Sequence, residues 1–213
     1  MRSDCLVKFN KIFKKALKFI RIDERNEAGT LANRHFKCRD IALTSIINSQ
    51  IDDALRCVDD GSTPEINVNR RKAMEYEESG KIDHEGKYSI YGQIISSLKN
   101  HGYTELTNFR HKDVDGRVYK INFKGEGSID AGGPFRDSIS NIVKEMEDGF
   151  VPLLIKSPNN RNDHGQNRDC YLLDPASTSP THLEMFRFLG GFIAFGILSK
   201  QPIPLNLTPT VWK

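Results

Sequence analysis

Chemistry in this chain could come from its four cysteines, its histidines, its paired carboxylates or one glycine-rich run. Cys5, Cys38, Cys57 and Cys170 stand at wide, irregular spacings without a C-x-x-C pair, which predicts neither a disulfide framework nor a zinc site. His35 and Cys38 are three residues apart, but structural zinc takes four such ligands and no second pair accompanies them. A nucleophilic thiol needs a lowered pKa and a base beside it. Cys170 falls in an alternating apolar stretch with Tyr171 and Leu172, where burial would make it inert, and Cys5 and Cys57 lie in helical patterns. Glu145 and Glu147 read as ordinary solvated helix charges.

The run Gly125-Glu126-Gly127-Ser128-Ile129-Asp130-Ala131-Gly132-Gly133 lies between a predicted strand and a predicted helix, which is the layout of a phosphate-binding turn. The match fails in detail. Asp130 occupies the place of the third fingerprint glycine, no G-K-[ST] follows, and a carboxylate there would repel an anion. The run reads instead as a tight connection whose glycines allow positive φ. No nucleotide or other cofactor is expected.

The elements that must hold these residues follow from periodicity. Apolar residues at Leu6, Phe9, Phe13, Ala16 and Ile20 predict an amphipathic helix over 5–21, with lysines on its other face. Residues 22–39 read as a loop, and Asp40 as the cap of a second helix running to about Val58. The turn-rich Asp59-Asp60-Gly61-Ser62-Thr63-Pro64 separates a helical extension, 1–64, from a main domain, 65–213. There, strands are predicted at 65–69, 118–123, 151–155 and 170–173. Short helices are predicted from Arg70 and from Ser89, and a longer one from Pro134 to about Met146 with Phe135, Ile139, Ile142, Val143 and Met146 on one face. Ser179-Pro180 starts a helix to about Leu198, whose Leu183, Phe186, Leu189, Ile193 and Ile197 are expected to face inward, with Phe188, Phe192 and Phe195 adding further apolar surface. Another helix is expected to begin near Pro209. The fold class is α+β, mainly helical with short strands.

Composition narrows the function class. The chain has 213 residues, 28% of them charged, and its longest apolar run, 188–198, is far short of the ~20 residues that span a bilayer. No secretory core is present near the start, so a cytoplasmic location is expected. Residues 1–22 carry seven basic side chains against Asp4 alone, leaving 24 basic and 27 acidic residues elsewhere. Positive charge is therefore local to one helix, and no nucleic-acid-binding body is indicated. A basic helix can lie on an anionic membrane, but a charged face is also the ordinary outside of a surface helix, and that second reading is taken here.

Family resemblance enters with the segment from Lys120. Lys120-Ile121-Asn122-Phe123, the glycine run and Pro134-Phe135-Arg136 resemble the strand, acidic glycine loop and helix near the start of the N-lobe of HECT-type E3 ubiquitin ligase domains. Val151-Pro152-Leu153-Leu154-Ile155, Asn167-Arg168-Asp169-Cys170-Tyr171-Leu172-Leu173, Met185-Phe186-Arg187-Phe188-Leu189-Gly190 and Val211-Trp212-Lys213 follow in the family's order. The Asn-Arg-Asp and Val-Trp-Lys elements resemble the large HERC branch in particular. The likeness covers roughly 65–213. It implies transfer of ubiquitin from an E2 to a cysteine and on to a substrate lysine, with ubiquitin and an E2 as partners and the substrate unspecified. It also implies that the E2-binding segment and the catalytic cysteine lie beyond residue 213, because none of the four cysteines sits in the family's Thr-Cys-Phe type motif. The chain is then an N-lobe scaffold, inactive alone, with no catalytic residue of its own. The rival reading is a noncatalytic module that binds ubiquitin or a partner. Glu126, Asp130, Gly132, Gly133 and Arg136 match the family's loop and helix and are expected to tie the two together. Phe150 falls where some members hold a second ubiquitin, although the paired tyrosines used there are absent.

Overall fold

The structure is a computed structural model. It describes residues 2–20, 22–43, 58–59, 63–103, 111–112, 116–126, 132–199 and 201–212. The chain divides into two compact units, 1–56 and 57–213.

In the first unit, α1 (Arg2–Ala16) is followed by 3-10 turns at Leu17–Phe19 and Ile22–Asn26, by α2 (Leu31–Lys37) and by a further 3-10 turn at Arg39–Ile41. Phe13 is buried, and Asn10 beside it organises the unit. Its amide donates to the carbonyls of Leu6 (2.9 Å) and Ile41 (3.2 Å), and its oxygen accepts the Leu43 N–H at 2.7 Å. The predicted loop at 22–39 therefore contains a helix. Its seven residues are too few and too polar to show a period, but Thr30 caps it by accepting the Asn33 N–H at 3.1 Å. Asp40 lies inside the last 3-10 turn and is not the cap of a long helix, and the rest of that predicted helix lies outside the described residues.

The second unit is mainly helical with short strands, an α+β arrangement. Its described elements are β1 (Val58–Asp59), β2 (Glu65–Val68), α3 (Arg70–Glu78), α4 (Ile90–Asn100), β3 (His111–Lys112), β4 (Lys120–Phe123), α5 (Gly133–Glu147), β5 (Leu154–Lys156), α6 (Pro158–Arg161), β6 (Tyr171–Leu173) and α7 (Pro180–Ser199). β2 and β4 pair in parallel, with Ile66 opposite Ile121 and Val68 opposite Phe123. A parallel pair needs a long crossover, which α3 and α4 supply. Alternation sends Ile66, Val68, Ile121 and Phe123 into the core, while Glu65 and Lys120 face solvent across the register. β1 and β3 form a second parallel pair, and β5 and β6 an antiparallel one.

α5 buries the predicted stripe of Phe135, Ile139, Ile142, Val143 and Met146. In α7 the predicted face is rotated. Met185, Phe188, Leu189, Phe192 and Phe195 are buried, whereas Leu183 and Ile197 are 58% and 55% exposed. Phe186 and Ile193 are only partly covered. The helix is apolar nearly all round, so its period does not choose a face, and the rings of Tyr119 and Phe135 decide it by receiving Phe192 and Phe195 edge-on. Residues 209–212 form a turn, not the start of the predicted helix. No helix among the described residues is long and apolar enough to cross a membrane.

Candidate functional site

The glycine-run junction is built by three elements. β4 ends at Phe123, and the chain turns through Gly125, with φ +87°, to Glu126. Residues 127–131 lie outside the described set, and with them Asp130. The chain enters α5 through Gly132, whose φ is +100°. Arg70, in the first turn of α3, reaches this junction. Its guanidinium lies 3.9 Å from the centre of the Phe123 ring, 3.6 Å from the Glu126 carboxylate, and in an ion pair with Asp137.

Loop and helix are thus joined through Arg70, a residue sequence reasoning left out. Glu126 takes part, and Asp137 holds the helix side. Arg136, also expected to tie loop to helix, is exposed and makes no ion pair among the described residues, and Asp130 lies outside them. Glu126 and Asp137 are 42% and 50% exposed, so these pairs are screened, and the cation resting on an aromatic face fixes Arg70 as firmly as they do.

The two adjacent glycines divide. Gly132 sits in a left-handed conformation that an L side chain resists, while Gly133 is helical with open space where a Cβ would point. Gly132→Ala should therefore destabilise the fold by ~1–2 kcal/mol, and Gly133→Ala should be neutral or slightly stabilising. Urea unfolding of the two variants checks this, and equal losses would contradict it. The sequence-based expectation had treated the two positions alike.

A second cluster surrounds the start of α4. Helix N-termini leave their first N–H groups without helical partners. Here Ser89 accepts the Gly92 N–H at 3.1 Å, and the Glu145 carboxylate reaches across from α5 to accept the N–H groups of Ile90 (2.7 Å) and Tyr91 (2.9 Å). Asp83 completes the set by accepting from Lys87, Tyr88 and Ser89 at 3.0, 2.9 and 2.7 Å. Glu145 and Asp83 are 5% and 2% exposed. Burial pushes the Glu145 carboxyl up to about 8, against the two N–H bonds that favour its charge, and Glu77 and Asp83 add to the rise.

Glu145 is therefore not the solvated charge that was predicted. Glu147 is half-buried and also raised, first by burial. The signal was legible in one respect: Glu145 follows Ser138 by seven residues, on the flank of the stripe that α5 buries. Its backbone partners, fifty-odd positions away, were not legible.

Two buried hydroxyls tie the cluster into the core. Tyr91 donates to the Met185 carbonyl of α7 at 2.6 Å, and Tyr119 meets Ser138 of α5 at 2.9 Å. Phe150, the candidate exosite aromatic, is 4% exposed and tilts against Tyr76 with ring centres 6.2 Å apart. A surface aromatic is not what Phe150 provides. Its position is a consequence of the same cluster, since its carbonyl accepts the Asp83 N–H at 2.9 Å.

None of the described cysteines stands in an activating setting. Cys5 is exposed on α1, and Cys38 is half-buried after α2. His35, three residues before Cys38, stacks on Phe13 with ring centres 3.8 Å apart, and burial lowers its pKa. Cys170 precedes β6 instead of lying within it. Its thiol is raised, first by desolvation and then by the neighbouring Asp169 carboxylate, which is the wrong direction for a nucleophile. Cys57 lies outside the described residues.

Comparison with known proteins adds what this geometry lacks. No protein-family model and no solved structure matches the chain. Among curated proteins it is 38% identical over 151 residues to the E3 ubiquitin-protein ligase HERC2 of Homo sapiens, a match covering 70% of this chain and 3% of that protein. It is 30% identical over 112 residues to the E3 ubiquitin-protein ligase HUWE1 of Mus musculus, covering 52% and 2%. To the probable E3 ubiquitin-protein ligase HECTD4 of Homo sapiens it is 28% identical over 96 residues, covering 45% and 2%. The aligned stretch is thus a small fraction of each relative's length. These relatives bear out the family resemblance, and the chain belongs to the HECT-domain family, with HERC-like character.

Proposed function

We propose that this chain serves ubiquitin transfer as N-lobe scaffold of a HECT-type ligase. Such a ligase takes ubiquitin from an E2 onto a cysteine and passes it to a substrate lysine, splitting one acyl transfer into two. The observation that carries this reading is the 38% identity to HERC2 over 151 residues. The site geometry agrees with a supporting role: the buried Glu145 carboxyl and Tyr91 hydroxyl hold α4, α5 and α7 together, and the Cys170 thiol is raised, away from a nucleophile. In this reading residues 65–213 are the HECT part and 1–64 a helical extension. Ubiquitin and an E2 are the partners of such a ligase, and the setting is cytoplasmic. The nucleophile is none of Cys5, Cys38, Cys57 and Cys170.

Two measurements test it. Incubated with E1, an E2 and ubiquitin, the chain should give no reductant-sensitive ubiquitin adduct. An adduct that disappears on replacing one of the four cysteines with serine would overturn the assignment. Grafted into human HERC2 in place of the matching stretch, these residues should leave E2-to-ligase thioester transfer in place. A folded chimera without transfer would count against the scaffold role.

A further inference from the structure

His182 is at odds with its surroundings. It lies in the first turn of α7 and is only 8% exposed, yet neither ring nitrogen has a hydrogen-bond partner among the described residues. Buried polar atoms are nearly always paired, and an orphan is a reason to ask what else it could bind. Facing it is His84, an exposed residue of the loop that precedes α4, with the two ring centres 5.7 Å apart and the planes inclined by 43°.

That separation suits one particular guest. A zinc–nitrogen bond is about 2.0–2.1 Å and an imidazole nitrogen lies about 1.1 Å from its ring centre, so two imidazoles sharing a tetrahedral cation have centres roughly 5–6 Å apart. His84 is exposed and can turn a nitrogen toward His182 without disturbing the core. The loop that carries it is anchored, because Asp83 accepts three N–H bonds from residues 87–89. The nearby carboxylates are occupied: Asp83 by those bonds, Glu85 by Lys87, and Glu184 by Lys99 at 2.8 Å. Among the described residues no group of three or more metal-ligating side chains is assembled. The arrangement is therefore a pair of imidazoles and not a closed four-ligand structural centre.

We propose that His84 and His182 form a two-imidazole site for a borderline divalent transition cation, with zinc as the type case, joining the loop before α4 to the first turn of α7. Ligation would give the buried imidazole the partner it lacks. It would also brace the same loop that Asp83 holds. The site stands independently of the ligase reading.

The test uses the full chain and Zn2+ alone, followed by calorimetry and by thermal unfolding. Saturable binding of one ion and a rise in melting temperature are expected, because a ligand held only by the folded state stabilises it. His84→Ala and His182→Ala should each weaken binding by about tenfold or more, comparable to the losses seen when groups supporting a metal site are removed. His101→Ala, at an exposed histidine away from the pair, should not. Because His84 is exposed, its variant keeps the test open should His182→Ala fail to fold. With Cu2+ as probe, two nitrogen ligands should appear in the electron paramagnetic spectrum. Unchanged zinc affinity in His84→Ala, or no saturable binding in the parent chain, would overturn the proposal.

Discussion

Glu145→Ala should cost the fold roughly 2–5 kcal/mol, because it strands two buried N–H groups at about 1–3 kcal/mol each. Among the described residues the Ile90 and Tyr91 N–H groups bond to Glu145, and water cannot replace a carboxyl group that is 5% exposed without opening the contact between α4 and α5. Glu145→Gln should lose less at neutral pH, since the amide oxygen still accepts one bond while its NH2 group faces the other donor. The two variants also separate structure from titration. In the folded protein the Glu145 carboxyl is raised from 4.5 to about 8, so the folded state keeps a proton that the unfolded chain has released. Its contribution is therefore complete below about pH 4.5 and is lost as pH rises through about 8, a difference on the order of 4–5 kcal/mol across that window. The parent should lose stability between pH 5 and 9 more steeply than Glu145→Gln. Urea midpoints of parent and both variants at pH 5, 7 and 9 measure this. Parallel pH profiles for parent and glutamine variant would show that Glu145 does not titrate in this range.

The second large effect is expected at Gly92→Ala. Alanine normally improves a helix by ~0.5–1 kcal/mol over glycine. At Gly92 the added Cβ would collide with the carbonyl group of Gly86. That backbone cannot yield easily. Gly86 itself has φ +65°, its loop is held by Asp83, and the Met185 side chain closes its other flank. The loop must move or α4 must shift, and overpacking of this kind costs ~1–3 kcal/mol or more, outweighing the helix gain. Gly190→Ala is the control, an exposed position in α7 where a Cβ meets nothing within 4 Å. It should be neutral or stabilising. Thermal unfolding of both variants reads the contrast, and a Gly92→Ala melting temperature equal to that of Gly190→Ala would show that the loop gives way at no cost.

Sequence alone determined what is local. Alternation in 65–68 and 120–123 marked two strands, and the three-four spacing of Phe135, Ile139, Ile142 and Met146 marked both a helix and its buried face. Ser89 and Ser179 announced their helices because a cap bonds within its own first turn. The order of motifs after Lys120 disclosed the family, which the relatives bear out. The tertiary structure decided everything that joins distant residues. α7 is apolar on most of its circumference, so only the rings of Tyr119 and Phe135 determined that Phe192 and Phe195, and not Ile197, turn inward. Glu145 looked like any surface glutamate because its partners are backbone N–H groups, which carry no side-chain signature. Arg70 and Asp137, and likewise His84 and His182, meet only because helices and loops far apart in the chain share one core. A periodic pattern reports which face of an element avoids water, but it carries no information about which other element will cover that face.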